Sequence, residues 1–246
     1  MNIALRAEWQ SPVNIGMTHA FPFKVCCIQS TDEADMAVAA GALAVGLVGP
    51  MPNGVGPIDD ALIADIAKHV RARYAGEVWA TLLTSRTDGE AIADHVAATG
   101  VDTVQIVDAP APGAYAKLHR AHPALRIIQV IHVEDESALD QARRASEEAD
   151  YILLDSGKPS ASVRTLGGTG DVHDWAISRR VVETCGKPVF LAGGLGPANV
   201  AEAVAGVRPF GVDICSGLRD RERGYTLNAE KLADFAKALG EFRPGL

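Results

Sequence analysis

The chain has 246 residues, of which 48% are hydrophobic and 22% are charged, and its formal net charge is −8. This length is enough for a complete hydrophobic core, and α/β barrels of this size often form one domain. Because a net negative surface repels polyphosphate and anionic lipid, the charge excludes general nucleic-acid and membrane-surface binders, although a local site can still hold a small anion.

Residues 1–23 show no clear periodicity and carry polar side chains where a signal peptide would need an apolar core. We therefore predict an N-terminal extension over residues 1–23, followed by a single domain over residues 24–246. The four cysteines form neither a dense disulfide framework nor a paired CxxC pattern, and no apolar run reaches membrane-spanning length. These features predict a cytoplasmic protein with reduced thiols.

Strand and helix patterns alternate along the rest of the chain. The predicted strands are residues 24–29, 43–48, 78–83, 103–107, 126–133, 151–154, 189–192 and 211–214. The predicted helices are residues 32–41, 58–73, 88–99, 113–122, 137–148, 175–184, 199–207 and 228–239. Eight alternating pairs predict a parallel sheet closed into a (β/α)8 TIM barrel. The alternative, a doubly wound open sheet, lacks its glycine fingerprint after the first strand.

Active sites of such barrels lie at the carboxyl ends of the strands, which selects candidate residues. Asp155 ends an apolar run, and a buried carboxylate is costly unless it is hydrogen-bonded or catalytic; a role in capping a loop is the alternative. Cys26 and Cys27 end the first strand, where only one of two adjacent side chains is expected to face the barrel interior. Cys26 is a candidate base if its thiolate is stabilised, and a buried structural cysteine otherwise.

Small residues follow three consecutive strands near the end of the chain. The candidate phosphate-binding residues are Gly168, Thr169, Gly170, Gly193, Gly194, Ser216 and Gly217. Backbone N–H groups in such loops can bind phosphate, although any one glycine pair also suits a tight turn. The three loops together predict a small phosphorylated substrate.

Two histidines lie near the predicted strand ends. His132 ends the fifth strand and His173 follows the sixth, and both are candidate acid–base or hydrogen-bonding groups. No group of histidines, aspartates and glutamates has metal-ligand spacing, so we predict no metal site.

Several segments resemble the phosphoribosylanthranilate isomerase family of tryptophan biosynthesis. Residues 24–28 resemble its K-[IV]-C-G-I opening, and Leu153-Leu154-Asp155-Ser156 its L-L-D-S. Residues 167–175 are similar to its G-G-T-G-x-x-[FH]-D-W, and residues 189–199 to its L-A-G-G-L-x-P-x-N pattern. Val212 and Asp213, with Ser216 and Gly217, resemble V-D-x-S-S-G. The resemblance covers about residues 24–240.

The resemblance implies an aldose–ketose isomerase that rearranges a phosphoribosylamine without a cofactor. Asp155 would be the general acid that protonates the furanose oxygen, and Cys26 the general base that removes the C2′ proton. Gln105 and Asp213 lie in segments that resemble family motifs. Together with His132 they are candidate substrate contacts.

The departures from the family pattern concern the aglycone. The family's second loop carries an arginine that would pair with the anthranilate carboxylate, whereas residues 49–57 contain none. Arg86, at the end of the third strand, is the candidate replacement. The aglycone and the oligomeric state therefore stay open. The alternatives are a lyase or epimerase that uses the same residues on another phosphosugar, and a catalytically silent phosphosugar-binding protein.

Overall fold

The predicted barrel is present in the computed structural model, which describes residues 21–51, 55–157 and 174–240. Eight parallel strands pair in chain order, and β1 closes the barrel against β8. The strands are β1 (Phe23–Val25), β2 (Ala44–Val48), β3 (Trp79–Thr84), β4 (Thr103–Ile106), β5 (Arg126–His132), β6 (Tyr151–Asp155), β7 (Val189–Leu191) and β8 (Gly211–Ile214). The helices are α1 (Thr31–Ala39), α2 (Asp60–Tyr74), α3 (Gly89–Thr99), α4 (Ala114–Ala121), α5 (Ser137–Ala145), α6 (Trp175–Thr184), α7 (Val200–Val207) and α8 (Ala229–Gly240).

Most of the predicted helix and strand ends lie close to the observed ends, and the ends of the first strand and the fifth helix differ more. The first strand was predicted to continue to residue 29, which is wrong, because Cys27 adopts the left-handed backbone conformation with φ of 62°. That conformation interrupts the extended backbone of the strand. The fifth helix ends at Ala145 instead of residue 148, since the N–H groups of Glu147 and Glu148 bond three residues back in a turn.

Alternate strand residues pack on the two faces of the barrel wall. On β2, Val45 and Leu47 pack outward against the helices, whereas Ala44 and Val48 pack inside the barrel. The interior at the amino ends of the strands is filled by aromatic rings of Trp79, Tyr151, Phe190 and Phe210, with centroids of neighbouring rings 5.1–6.3 Å apart. Because this layer fills the amino end, the space for a ligand lies at the carboxyl ends.

The connection from β8 to α8 contains structure that the sequence patterns did not predict. Two short antiparallel strands, β9 (Arg219–Asp220) and β10 (Thr226–Leu227), precede α8. They bring Arg219 to the end of β1. Most of the predicted extension over residues 1–23 lies outside the described residues; Phe21 is buried, and Phe23 already belongs to β1. None of the helices that the structure describes is long and apolar enough to cross a membrane.

Candidate active site

A cavity opens at the carboxyl ends of the strands and encloses about 760 Å³ of empty space, part of it open to solvent. Among the residues predicted from sequence, its lining contains Cys26, Gln105, Asp155, Gly193, Gly194, Asp213 and Ser216. The other lining residues are Cys27, Val48, Met51, Val55, Leu83, Val107, Val130, Leu153, Ala192, Leu195, Ile214 and Cys215. The fold therefore brings both candidate catalytic groups into one cavity.

Cys26 follows β1 directly, and its backbone is fixed on both sides. Its N–H donates to the carbonyl of Ile214 at 2.8 Å, and its carbonyl accepts from Nη2 of Arg219 at 2.7 Å. Arg219 is 1% exposed, and its Nη1 is paired with Glu33 at 2.8 Å. Because a buried, charge-assisted pair holds the carbonyl of Cys26, the backbone that carries the thiol is fixed before any ligand binds.

The surroundings of the Cys26 thiol act on its pKa in opposite directions. A hydrogen bond with Cys215 and burial raise the pKa of Cys26, whereas a hydrogen bond from Cys27 and the charge of Lys24 lower it. The net direction is upward. A thiol with a raised pKa gives a thiolate that is scarcer at neutral pH and more basic once formed.

Both adjacent cysteines line the cavity, so the expectation that only one of Cys26 and Cys27 would face the interior is wrong. The expectation required an extended backbone, and the positive φ of Cys27 turns its side chain to the same side as Cys26. The Sγ of Cys27 contacts the Sγ of Cys215 at 2.6 Å. The sulfur atoms of Cys26, Cys27 and Cys215 all lie within 4.8 Å of one another.

Asp155 ends β6 and is almost completely buried. The backbone N–H groups of Ser156 and Gly157 donate to its carboxylate, and Nδ1 of His132 lies 4.0 Å from Oδ2. Burial raises the pKa of Asp155, and the charge of a Cys26 thiolate raises it further, while His132 and the backbone donors oppose the shift. A carboxyl group with a raised pKa retains a proton that it can donate.

Lys24 and Asp213 form a buried ion pair in the barrel interior near Cys26. The Nζ of Lys24 lies 2.7 Å from Oδ1 of Asp213, and the side chains are 1% and 7% exposed. Burial raises the pKa of Asp213 to about 7, against the opposing effect of the Lys24 charge. Burial alone would lower the pKa of Lys24, but the negative charges around it raise the pKa overall, so the ammonium stays protonated.

We expect Lys24→Met to lower the free energy of unfolding by about 3–5 kcal/mol at pH 8.5, because it leaves a buried carboxylate without its ammonium partner. The folded-state pKa of Asp213, about 7 in the parent, rises further in the variant. The stability of the variant therefore decreases as the pH rises from about 3.8 and continues to decrease above pH 7, where the decrease in the parent ends. Urea unfolding at pH 5.5 and pH 8.5 measures the difference.

The loss should be smaller at pH 5.5, where Asp213 can bind a proton. The double variant Lys24→Met/Asp213→Leu removes both charges and should recover most of the stability. Equal losses at the two pH values would show that the ion pair is not the cause.

The loops after β7 and β8 touch each other. Gly193 has φ of 85° and packs against Ser156, where an added Cβ would lie 2.7 Å from Oγ. A Cβ on Gly217 would lie 2.2 Å from the carbonyl oxygen of Leu195, so only glycine fits. Gly194 and Ser216 complete this edge of the cavity. The predicted residues Gly168, Thr169 and Gly170, and His173, lie outside the described residues.

The three remaining candidate substrate contacts differ from one another in their position relative to the cavity. Gln105 is 4% exposed and lines the cavity, and its Oε1 has no partner among the described residues. His132 bonds through Nε2 to the carbonyl of Val107 at 3.0 Å. Arg86 is exposed and absent from the cavity lining that the structure describes; its Nη1 donates to the carbonyl of Ala91 at 2.9 Å.

Sequence reasoning missed the buried charged residues that support the backbone and the interior of the site. Arg219 and Glu33 are separated by 186 positions in the chain, and no motif links them. Lys24 was recognised only as part of a motif, although a lysine that opens a buried strand could have been flagged as needing a partner. The approach of Cys215 to the first strand follows from barrel closure between β1 and β8.

Comparison with known proteins gives one consistent result. The family model for N-(5'phosphoribosyl)anthranilate (PRA) isomerase matches residues 80–237. An N-(5'-phosphoribosyl)anthranilate isomerase 2 of Methanosarcina mazei is 35% identical over 198 residues, which is 80% of this chain and 85% of the relative. An N-(5'-phosphoribosyl)anthranilate isomerase of Natronomonas pharaonis is 36% identical over 221 residues, 88% of this chain and 97% of the relative.

Solved structures share the fold. The chain is similar to a phosphoribosyl anthranilate isomerase from Thermus thermophilus with a TM-score of 0.74 and 23% identity, covering 90% of this chain and all of the other. It is also similar, with a TM-score of 0.70 and 23% identity, to a phosphoribosyl anthranilate isomerase in complex with reduced 1-(o-carboxyphenylamino)-1-deoxyribulose 5-phosphate, covering 90% of this chain and 99% of the other. At this identity the structures support the barrel fold.

Proposed function

The chain belongs to the N-(5'-phosphoribosyl)anthranilate isomerase family, and we propose that it converts N-(5'-phosphoribosyl)anthranilate, or a closely related phosphoribosylamine, by a cofactor-independent Amadori rearrangement. The observation that carries the proposal is the placement of Cys26 and Asp155 in one cavity at the mouth of the barrel. β1 and β6 are well separated around the barrel, so a sugar bound between their ends can be approached from two sides.

We assign Asp155 as the general acid. Its carboxyl group would donate a proton to the furanose ring oxygen, which opens the ring as the C1′–O bond breaks and leaves an iminium at C1′. The raised pKa of Asp155 supports this role, because an ordinary aspartate is ionised at neutral pH and has no proton to give.

We assign Cys26 as the general base. Its thiolate would remove the proton from C2′ of the iminium, giving an enolamine that tautomerises to the ketose. The two groups act on each other, since the charge of a Cys26 thiolate raises the pKa of Asp155. The thiolate form of the base therefore favours the protonated form of the acid, which is the combination that the first step requires.

We assign phosphate binding to the edge formed by Gly193, Gly194, Ser216 and Gly217. The sequence predicts the same role for residues 168–170, which lie outside the described residues. The chain's own support is the contact between the β7 and β8 loops, because small residues let an anion approach backbone N–H groups. The similar isomerase structure bound to a deoxyribulose 5-phosphate derivative is consistent with a phosphorylated ligand at this mouth.

The aglycone would lie beside β2, β3 and β4, where Val48, Leu83 and Val107 offer an apolar wall. Gln105 supplies a buried acceptor without a partner among the described residues, which suits the amine N–H or a sugar hydroxyl. Arg86 remains a hypothesis for the carboxylate, and reaching it would require giving up the bond to Ala91. An Arg86→Ala variant with unchanged KM would reject that hypothesis.

Turnover of N-(5'-phosphoribosyl)anthranilate is measured by the loss of anthranilate fluorescence. A measurable kcat/KM with the purified chain supports the proposal, and no turnover would reject it. A different phosphosugar lyase or epimerase, or a silent binding protein, would then be the function to consider. We expect the reaction to take place in the cytoplasm, consistent with four cysteines that are all free thiols.

We expect Ser216→Asp to raise KM for the phosphorylated substrate about 100-fold, because a carboxylate facing a phosphate costs several kcal/mol. Ser216→Ala is the matched control and should change KM by less than about threefold, since it adds no charge. Steady-state kinetics with competition by inorganic phosphate measure both. An equal rise in the two variants would place the phosphate elsewhere.

A further inference from the structure

Cys27 and Cys215 contact each other where β1 meets β8, and the proposed rearrangement uses neither. We propose that these two residues form a peroxide-reactive dithiol that closes reversibly into a disulfide at the wall of the active-site cavity. The site is therefore a place of oxidative modification, and its chemical partner is a hydroperoxide.

The backbone brings the two residues to the same seam of the barrel. Val25 pairs with Ile214 across the β1–β8 seam, and the N–H of Cys26 continues the ladder to the carbonyl of Ile214. Cys215 directly follows Ile214, and Cys27 lies two residues after Val25. The observed contact between their sulfur atoms is the evidence that the two side chains can approach closely enough to bond.

The side chain of Cys27 is held in this direction by its surroundings. Its φ of 62° is the left-handed conformation that turns it toward the cavity. Gly56 packs directly against it, since a Cβ there would lie 2.8 Å from the Cβ of Cys27. The Sγ of Cys27 also lies 3.6 Å from the carbonyl oxygen of Val55. The loop after β2 therefore keeps the two sulfur atoms in contact.

The sulfur contact suits a direct bond better than a shared cation. Two thiolates bound tetrahedrally to one zinc ion, each about 2.3 Å from the metal, are about 3.8 Å apart. Cys27 and Cys215 are 2.6 Å apart, so joint ligation would require the two sulfur atoms to separate. Bond formation requires them only to approach further.

The two thiols differ in the way that peroxide chemistry requires. Cys215 is the more exposed, and hydrogen bonds from Cys26 and Cys27 lower its pKa, so it is the thiolate that attacks. Its Sγ takes one oxygen of the peroxide as the O–O bond breaks, giving a sulfenic acid and a hydroxide, which becomes water by taking up the proton that Cys215 released on ionising. Cys27, whose pKa is raised by the hydrogen bond with Cys215, then attacks that sulfur. The S–S bond forms, the S–O bond breaks, and hydroxide leaves as water with the Cys27 proton. Two thiols and one hydrogen peroxide give one disulfide and two waters.

The modification would act on the candidate base. The Sγ of Cys27 donates a hydrogen bond to the Sγ of Cys26 at 3.9 Å, which lowers the pKa of Cys26, and the hydrogen bond with Cys215 raises it. Both hydrogen bonds are altered when Cys27 and Cys215 form a disulfide. The effect on turnover rests on the proposed function, whereas the cross-link itself does not. We expect isomerase turnover to change in proportion to the oxidised fraction and to return with dithiothreitol.

The test uses the full chain, reduced, freed of reductant and treated with hydrogen peroxide. Denaturation in N-ethylmaleimide then labels every remaining thiol, and intact mass gives the number of adducts. Four adducts are expected for the reduced protein, which has four cysteines, and two after oxidation. Dithiothreitol should restore four. Peptide mapping should join the peptide of Cys27 to that of Cys215.

Three single variants identify the partners. Cys26→Ser and Cys185→Ser should still cross-link, whereas Cys27→Ser should not. Cys185 is the matched control because it is a buried thiol at the end of α6, bonded to the carbonyl of Lys187 at 3.4 Å. Four adducts after oxidation, or a cross-link that persists in Cys27→Ser and is lost in Cys26→Ser, would overturn the proposal.

The mass measurement does not depend on enzymatic turnover, so an inactive protein would count against the proposed function alone. If the cross-link forms completely and turnover does not change, the inference that the disulfide acts on Cys26 would be overturned.

Discussion

Cys26→Ala is expected to lower kcat by about 10²- to 10⁴-fold, the usual contribution of a positioned general base. KM should change little, because the thiol acts on a C–H bond and does not bind the phosphate. The backbone at this position is held by Arg219 and Ile214 and does not depend on the side chain, so the variant should retain the fold. Steady-state fluorescence kinetics measure both parameters.

Cys185→Ala is the control for this variant. It removes a buried thiol from the same protein, at the end of α6 and outside the cavity lining, and should keep the parent kcat. Urea unfolding of both variants separates a catalytic loss from a loss of folded protein. A Cys26→Ala enzyme with the parent kcat would reject Cys26 as the base.

Asp155→Asn is expected to lower kcat by about 10²- to 10⁴-fold, because an amide keeps the shape of the carboxyl group and has no proton of suitable acidity. The remaining hydrogen bonds from Ser156 and Gly157 can still reach the amide oxygen, so the loop should keep its place. The same kinetic assay applies.

The pH dependence gives a second readout. Ionisation of Cys26, whose pKa is raised above 9.0, makes kcat/KM increase with pH, whereas ionisation of Asp155 removes the acid. In the parent the increase should level off as the pH rises through the pKa of Asp155, a value above 3.8, and in Asp155→Asn it should continue toward the pKa of Cys26. Asp94→Asn, on the exposed surface of α3, is the matched control and should keep both the rate and the parent profile. An increase that levels off at the same pH in Asp155→Asn would assign that change to another group.

Local patterns were sufficient for the barrel because each helix and strand shows its own periodicity. The apolar spacing of residues 58–70 indicates α2, and the continuous apolar run of residues 151–154 indicates β6. In the structure three helices begin after an aspartate that accepts a hydrogen bond from the first turn, namely Asp59, Asp88 and Asp174. The rule that barrels work at their strand ends then selected Cys26 and Asp155.

The sequence by itself determined the order of strands and helices, and hence which side chains meet at the mouth of the barrel. It could not show that Cys27 turns to the same side as Cys26, because one residue in the left-handed conformation reverses the alternation of a strand. It could not show the pairs Arg219–Glu33, Lys24–Asp213 or Cys27–Cys215 either. Each joins residues that are far apart in the chain and meet only when β8 closes against β1. The pKa shifts of Asp155 and Asp213 depend on that closure, since burial and neighbouring charges cause them.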